Sequence, residues 1–379
     1  MKKKILFITG SRGEYGYIRP ILNLIKQSDV LEYEIVGTNM HLLPDFGDSI
    51  SEFYKDGFEV KYQPLMTLGG YTPASMVKSL SVFGLSLADI LSSSNPDFIL
   101  LAGDRGEQLM AAIAGAHMSI PVAHIQAGEL SGNIDGLSRH AIARFTHIHF
   151  AANVDAETRL IRSGEQEFRV FNVGAPQLDE FISGHITTKS KLKEKYQAIN
   201  DGFVLFVQHP VTEQHEQAYD QVKLSLKVLE DININVIAVL PNSDAGSASV
   251  IKAFEDGSFD KLYTYRNVPR EDYAGFLENA LCIVGNSSSG LLEAPTFGLP
   301  AVNIGRRQEG RCQGANVINC DHDYESIYKS INQAISNDFR SSLIGMKNPY
   351  GDGKSSSRII DILQSIEVDD RLINKELAF

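Results

Sequence analysis

Residues 280–305 read ALCIVGNSSSGLLEAPTFGLPAVNIG. An apolar run ends at Gly285, three hydroxyls follow between two glycines, and a leucine-bearing segment leads to a second apolar run that ends at Gly305. Short apolar runs bounded by glycine are buried strands, and a segment of helical spacing between two of them is the crossover that parallel strands need. The stretch therefore reads as strand, turn, helix, strand. Ser287, Ser288 and Ser289 fall where the turn meets the helix. There they can cap it, while their hydroxyls and the freed backbone N–H groups surround an oxyanion and the helix dipole adds attraction. The plain alternative is a structural capping loop, since serine is an ordinary N-cap.

The same punctuation recurs along the chain. KKILFITG, DFILLAGD, PVAHIQAGE, THIHFAAN, FRVFNVGAP, GFVLFVQHP and NVIAVLPN are further apolar runs that close in polar or glycine-bearing turns. Between them, GEQLMAAIAGAHM, VDAETRLIRSG and REDYAGFLENA carry apolar stripes at helical period. The pattern predicts an α/β protein of parallel strands covered by helices on both faces. A length of 379 residues fits two such units better than one. The change of character in GAPQLDEFISGHITTKSKLKEKYQAIN sets the hinge near residues 174–200. In open parallel sheets ligands gather at the carboxyl ends of the strands, so the residues just after each apolar run are the candidates.

Composition narrows the partners. Thirty-five Lys and Arg against forty-seven Asp and Glu leave a formal charge of −12, which argues against nucleic acid or anionic lipid as a partner. A small phosphorylated ligand stays possible, because a few arginines and helix N-termini make a local positive site. Cys282, Cys312 and Cys320 are an odd set without a close CxxC pair, which suits a reducing, cytoplasmic compartment and no structural zinc. No uninterrupted run of 18 apolar residues occurs, so no membrane span is expected.

The turns supply the chemistry. In TGSRGEYG, Gly10 and Gly13 allow a tight turn and Arg12 can lie over a phosphate; a simple strand-to-helix turn is the alternative. In AGDRGE, Asp104 beside Arg105 is either a catalytic carboxylate or a pair that fixes a loop. HIQAGELSGNIDGLSRHAIARFTHIHF is the densest stretch, with His124, Gln126, Glu129, Asp135, Arg139 and His140. His124 sits inside an apolar strand, where a core histidine is as good a reading as a catalyst, and Asp135 also fits an N-cap. His147 and His149 alternate on a strand but lack a third zinc ligand in register. His209, after the first strand of the second half, can carry a proton or hydrogen-bond a leaving phosphate. Asn242, Asp244 and Ser247 occupy an equivalent later loop, Glu293 suits ribose hydroxyls, and Arg306, Arg307 and Arg311 compete to balance phosphate charge.

Taken together, these loops resemble the hydrolysing UDP-N-acetylglucosamine 2-epimerases of sialic acid biosynthesis, and the resemblance runs from TGSRGEYG to YGDGKSSSRI. It implies a GT-B-like fold of two Rossmann-like domains, their parallel sheets facing a central cleft. Residues 1–175 would form the first domain, joined by a C-terminal helix within 355–379, and residues 176–354 the nucleotide-binding second domain. Ser287, Ser288 and His209 would contact the diphosphate, Glu293 the ribose, and Arg12 and Arg307 the nucleotide or its charge, with Arg105, Gln126, Asn242, Ser247 and Ser289 as further substrate-binding candidates. Asp104, the position of Gln126, and Asp135 match the family's catalytic carboxylates, with His209 assisting. Two departures stand out. Many relatives carry Glu where this chain has Gln126, and an amide cannot act as a base, so the base stays open between Glu129 and Asp135. Tyr17 stands where relatives often have Lys.

The implied reaction converts UDP-N-acetylglucosamine and water to N-acetylmannosamine and UDP through a glucal, without metal or cofactor, in a homodimer or homotetramer. Departure of the diphosphate must lead, so neutral or cationic groups belong near the phosphates and carboxylates near the sugar. A sister enzyme acting on UDP-N,N'-diacetylbacillosamine needs the same loops. A nonenzymatic UDP-sugar-binding regulator is the candidate from another class, disfavoured because buried carboxylates without a task carry a desolvation penalty.

Overall fold

The computed structural model describes residues 2–43, 49–69, 73–130, 134–199, 202–241, 246–266 and 268–378. Two compact units divide the chain: Met1–Leu130, Ile134–Asp179 and Tyr350–Phe379 make the first, and Glu180–Pro349 lies in the second.

In the first unit six strands, β1 (Lys3–Thr9), β2 (Leu31–Gly37), β3 (Phe98–Ala102), β4 (Val122–Ala127), β5 (Ile148–Ala151) and β6 (Val170–Asn172), form a parallel sheet in the order β2-β1-β3-β4-β5-β6. Successive residues of β1 feed opposite faces. Ile5 and Phe7 pack with Ile18, Ile21 and Ile359, whereas Leu6 and Ile8 pack with Phe83, Leu87 and Ala111. A strand covered on both sides needs apolar residues at every position, which is why its sequence is a continuous run rather than an alternation.

The second unit repeats the plan with β7 (Phe203–Val207), β8 (Asn235–Val239), β9 (Leu262–Tyr265), β10 (Ile283–Gly285), β11 (Ala301–Ile304) and β12 (Val317–Cys320), ordered β12-β11-β10-β7-β8-β9. Val204 and Phe206 enter one core, and Phe203, Leu205 and Val207 the other. The strand order reverses between β1 and β3 in the first unit and between β7 and β10 in the second. Those are the points where an open parallel sheet leaves a crevice at its carboxyl end. Two Rossmann-like units of this kind make the chain a GT-B-like α/β protein.

After the second unit the chain returns to the first. Ala175 N–H donates to the Tyr350 carbonyl at 2.7 Å, and Asp179 accepts the first N–H groups of the helix Ser355–Ser365, from Ser355 at 3.1 Å and Ser356 at 2.6 Å. That helix buries Ile359, Ile360 and Leu363 in the first core. Further on, the fully buried Arg169 donates to the carbonyls of Leu372 at 2.7 Å and Arg371 at 2.6 Å, which ties down the last helix.

One helix is long and apolar enough to cross a membrane even though no uninterrupted apolar run marks it. Within Pro73–Ser94, the segment Ala74–Ser94 has the length to cross a membrane and holds an 18-residue window of mean hydropathy 1.4. It contains Lys78 and Asp89. Phe83, Leu87 and Leu91 are buried against the sheet on one face, while Met76, Val77 and Leu85 are exposed.

The first unit also buries four histidines. Burial, with nearby cations, lowers His41, His147 and His149 to about 4 and His124 to about 3. These rings are neutral in the native state and must take protons on unfolding below the ordinary imidazole pKa. Burial holds the carboxyls of Glu14 and Asp179 above their usual range, which works in the opposite sense. The four imidazoles take up protons on unfolding, so stability falls as pH drops through the ordinary imidazole range near 6.5, and the two raised carboxyls offset part of that loss. Urea denaturation between pH 7 and 5 measures this; a flat midpoint contradicts it.

Candidate functional site

The second unit's switch point is built by close backbone approach. Gly285 ends β10 with φ +125°, and a β-carbon there would stand 2.2 Å from the Val207 carbonyl oxygen, so only glycine lets the two strand ends lie together. The next residue, Asn286, is buried. Its Oδ1 accepts the His209 N–H at 2.7 Å and its Nδ2 donates to the His209 carbonyl at 2.8 Å. The Asn286 carbonyl in turn accepts Arg307 Nη1 at 3.1 Å and Gln308 Nε2 at 2.9 Å.

The serine loop departs from its sequence reading. The helix it opens is a single turn, Ser289–Leu292, and no side chain caps it; Ser288, at the N-cap, has helical backbone angles. A one-turn helix has little macrodipole, so the attraction expected from it is withdrawn. What remains is short-range. Ser287 Oγ accepts the Ser289 N–H at 3.3 Å, and Ser289 Oγ donates to Glu293 Oε2. Ser287 and Ser288 are half-buried. The Tyr273 phenol faces Ser287, Ser289 and Glu293, and burial followed by the Glu293 charge raises its pKa.

His209 carries a buried Nδ1 that has no hydrogen-bond partner among the described residues. Burial and then Arg307 lower its pKa to about 3, so at neutral pH it is a neutral hydrogen-bonding ring rather than a cation. Of the three arginines after β11, Arg307 reaches the loop. Arg306 is exposed and pairs with Glu309 at 2.9 Å, and Arg311 donates to Gln308 Oε1 at 3.1 Å. Ser247 begins the helix Ser247–Asp256 after Gly246, with its buried hydroxyl lacking a partner among the described residues. Asn242 and Asp244 lie outside the described residues.

In the first unit the loops after β1, β3 and β4 gather the acids. Arg139, buried, pairs with Asp104 Oδ2 at 2.5 Å through Nη2 and donates to the Gln126 carbonyl through Nη1. Gln126 has φ +62° and sits at an irregularity where β4 slips against β5 between Ile125 and Ala127. A non-glycine residue in the left-handed region stores strain, and here the turned backbone presents its carbonyl to Arg139. Its side chain donates to Gln177 Oε1 at 3.4 Å. Glu129 is buried and accepts the Asn153 amide; Asn153 is held in turn because its Oδ1 caps the helix Val154–Arg162 at Ala156 N–H.

The remaining candidates have local partners. His124 donates from Nε2 to the Gly103 carbonyl at 2.5 Å, which matches its core reading. Arg105 pairs with the buried Glu107 at 3.3 Å, and Arg12 with Glu52 at 3.0 Å. His147 Nδ1 accepts the Val122 N–H at 3.0 Å and His149 donates to Glu165 at 2.9 Å. Asp135 is in the first turn of the helix Ile134–Phe145, and its side chain is outside the described residues. The sequence reading missed Asn286, Gln308, Tyr273, Asn153 and Gln177. Asn286 stood inside the quoted loop, masked by its hydroxyl-bearing neighbours; the others carry no motif.

Two Rossmann-like units, one with hydroxyls, amides and an arginine at its switch point and the other with carboxylates held by an arginine and an asparagine, define a GT-B-like protein of nucleotide-sugar type. The profile of the UDP-N-acetylglucosamine 2-epimerase family matches residues 23–364. A UDP-N,N'-diacetylbacillosamine 2-epimerase (hydrolyzing) of Legionella pneumophila is 35% identical, with the alignment covering 100% of both chains. A UDP-N-acetylglucosamine 2-epimerase of Neisseria meningitidis is 32% identical over 88% of each. The crystal structure of a Neisseria meningitidis UDP-GlcNAc 2-epimerase bound to UDP-GlcNAc has the same fold, with a TM-score of 0.83 over 96% of this chain and 100% of that one at 20% identity. The chain belongs to the UDP-N-acetylglucosamine 2-epimerase family. Its family reaction is the 2-epimerisation of UDP-sugars, of hydrolysing type among its similar relatives.

Proposed function

We propose that this protein is a hydrolysing 2-epimerase of a UDP-linked 2-acetamido sugar. The observation that carries the reading is the division of chemistry. His209, Asn286, Ser287, Ser288 and Arg307 are themselves neutral or cationic, as a departing diphosphate requires, and the nearby Glu293 accepts from Ser289. In the first unit Asp104, paired with Arg139, and Glu129, bonded by Asn153, supply carboxylates, as a sugar that loses and regains a proton requires.

In the first step the C1–O bond breaks with its electron pair going to UDP, and the C2 proton passes to a carboxylate, leaving a 2-acetamidoglucal. In the second, water gives its hydroxyl to C1 while a proton enters C2 from the opposite face. The products are UDP and the free 2-epimer. Ser287, Ser288, Ser289, His209, Arg307 and Ser247 take the diphosphate, Glu293 the ribose, and Arg12, Arg105 and Asn242 further polar contacts of the substrate. Asp104, Glu129 and Asp135 share the proton transfers, and Gln126 orients rather than abstracts because an amide has no basic site.

Two sugars fit these loops. N-acetylglucosamine satisfies every step, with N-acetylmannosamine as product. The N,N'-diacetylbacillosamine unit is favoured by the full-length similarity to the Legionella enzyme, against partial coverage of the Neisseria one. The exposed Met76, Val77 and Leu85 on the helix Pro73–Ser94 support assembly with a second copy, and three free cysteines a reducing cytoplasm. Incubation in D2O with each nucleotide sugar, followed by NMR, tests the reading. UDP and a C2-inverted free sugar carrying deuterium at C2 are expected, faster from the diacetamido substrate. UDP release without inversion, inversion with UDP retained, or no turnover of either sugar overturns it.

A further inference from the structure

Asn286 makes contacts that no serine or arginine of its loop makes. Its side-chain amide pairs with both main-chain groups of His209, donor to acceptor and acceptor to donor, at 2.8 and 2.7 Å. This is the pairing of one more strand residue, supplied by a side chain, just past the last β7–β10 rung at Val207 and Gly285. The same residue's backbone N–H donates to the Val207 carbonyl at 3.2 Å. Its carbonyl takes Arg307 and Gln308, and Gln308 accepts Arg311 at 3.1 Å. Three loops, following β7, β10 and β11, therefore converge on one buried asparagine at the point where the strand order reverses.

We propose that Asn286 is the positioning residue of the diphosphate site, setting His209 and Arg307 in register with Ser287 and Ser288 before any ligand arrives. The inference rests on the reading of these loops as the diphosphate site. An amide meets the requirement at every pH. Aspartate offers acceptors where the His209 carbonyl needs a donor, and alanine leaves two main-chain groups of His209 unpaired. Preorganised donors bind an anion without a rearrangement at the moment of binding.

The test uses the full chain and UDP as the probe. Asn286→Asp is expected to weaken UDP binding by about thirtyfold at pH 8, as loss of a buried donor and a new charge near the anion predict. Protonated aspartic acid is isosteric with asparagine and can donate to the His209 carbonyl. The ratio of variant to wild-type affinity should therefore close towards 1 as pH falls to 5. The ionisable groups facing this amide are His209, from the loop after β7, and Arg307, from the loop after β11, with Arg311 one step away through Gln308. His209, with its pKa near 3, and the arginines keep their charge over that range. A residue needed only for folding would lower the melting temperature without this pH-dependent rescue.

Equal affinity of variant and wild type at pH 8, or a ratio flat with pH, overturns the inference. Wild-type protein that binds no UDP overturns the diphosphate reading instead, and the loop clamp is then read by hydrogen exchange. The His209 amide should exchange about tenfold faster in Asn286→Ala, and unchanged exchange refutes the clamp. Should neither variant accumulate folded, Gln308→Leu, which removes one bond to the Asn286 carbonyl, is expected to weaken UDP by about threefold. No change there also counts against the proposal.

Discussion

Asp104→Asn is expected to lower kcat by about a thousandfold and to leave UDP affinity within about twofold, since general acid–base groups contribute 10²–10⁴ in rate. The substitution keeps the shape of the side chain and removes its charge. Arg139, 8% exposed at its side chain, holds Asp104 with one nitrogen and the Gln126 carbonyl with another. The amide oxygen of the substituted side chain can still accept from Nη2, so the turn at Gln126 keeps its support and the fold changes little. The residues proposed to take the diphosphate belong to the second unit, so a loss confined to kcat is the signature of proton transfer at the sugar. Steady-state kinetics with UDP titration by calorimetry separates the two. A kcat within tenfold of wild type would place Asp104 outside the chemistry and leave the Arg139 pair as a loop fastening.

Much of the fold was legible because parallel sheets write themselves as unbroken apolar runs. Nine runs stood out, and the three strands that did not, β2, β9 and β12, all lie at sheet edges. Their residues are buried only in part: β9 and β12 contain no buried position, and β2 interrupts its apolar residues with Glu32 and Glu34. An edge strand has water beside it, so its sequence loses the signal that marks the centre. Topology, by contrast, was not legible. Nothing in the residues says that β10 lies beside β7, yet that adjacency brings His209 to Asn286.

The site divides in the same way. Residue types told where acids and hydroxyls gather, because both follow strand ends. They did not tell which backbone turns away from regular geometry. Gln126 drew notice as an amide at a position where the resembling family has an acid, but its strained φ and its carbonyl's bond to Arg139 depend on the slip between β4 and β5. The serine loop shows the opposite error. Three hydroxyls before LLEAP suggested a capped helix, and Pro295 belongs to a short turn of 3-10 helix that follows a single α-turn. Proline lacks the N–H that a longer α-helix needs there.

Gly285→Ala is expected to destabilise the second unit by about 4 kcal/mol and to weaken UDP binding by about a hundredfold, combining backbone strain and overpacking. Two costs act at once. The φ of +125° is a region that side chains avoid, and the new methyl would stand 2.2 Å from the Val207 oxygen, 2.7 Å from its carbonyl carbon and 3.2 Å from Gln208 N. All three neighbours are backbone, so no rotamer can relieve the contact; β7 and β10 must part where they are paired. Parting them pulls Asn286 from His209, which is why binding should fall with stability. Gly184→Ala separates the causes. Gly184 belongs to the same unit and has φ +88°, with nothing within 4 Å of where its β-carbon would be. It should therefore cost only the strain, about 1 kcal/mol, and leave UDP affinity unchanged. Urea denaturation followed by a probe in the second unit, with UDP titration of the folded protein, reads both quantities. If Gly285→Ala proves no worse than Gly184→Ala, the strand ends are not held together by backbone contact, and the register of the diphosphate loops must come from elsewhere.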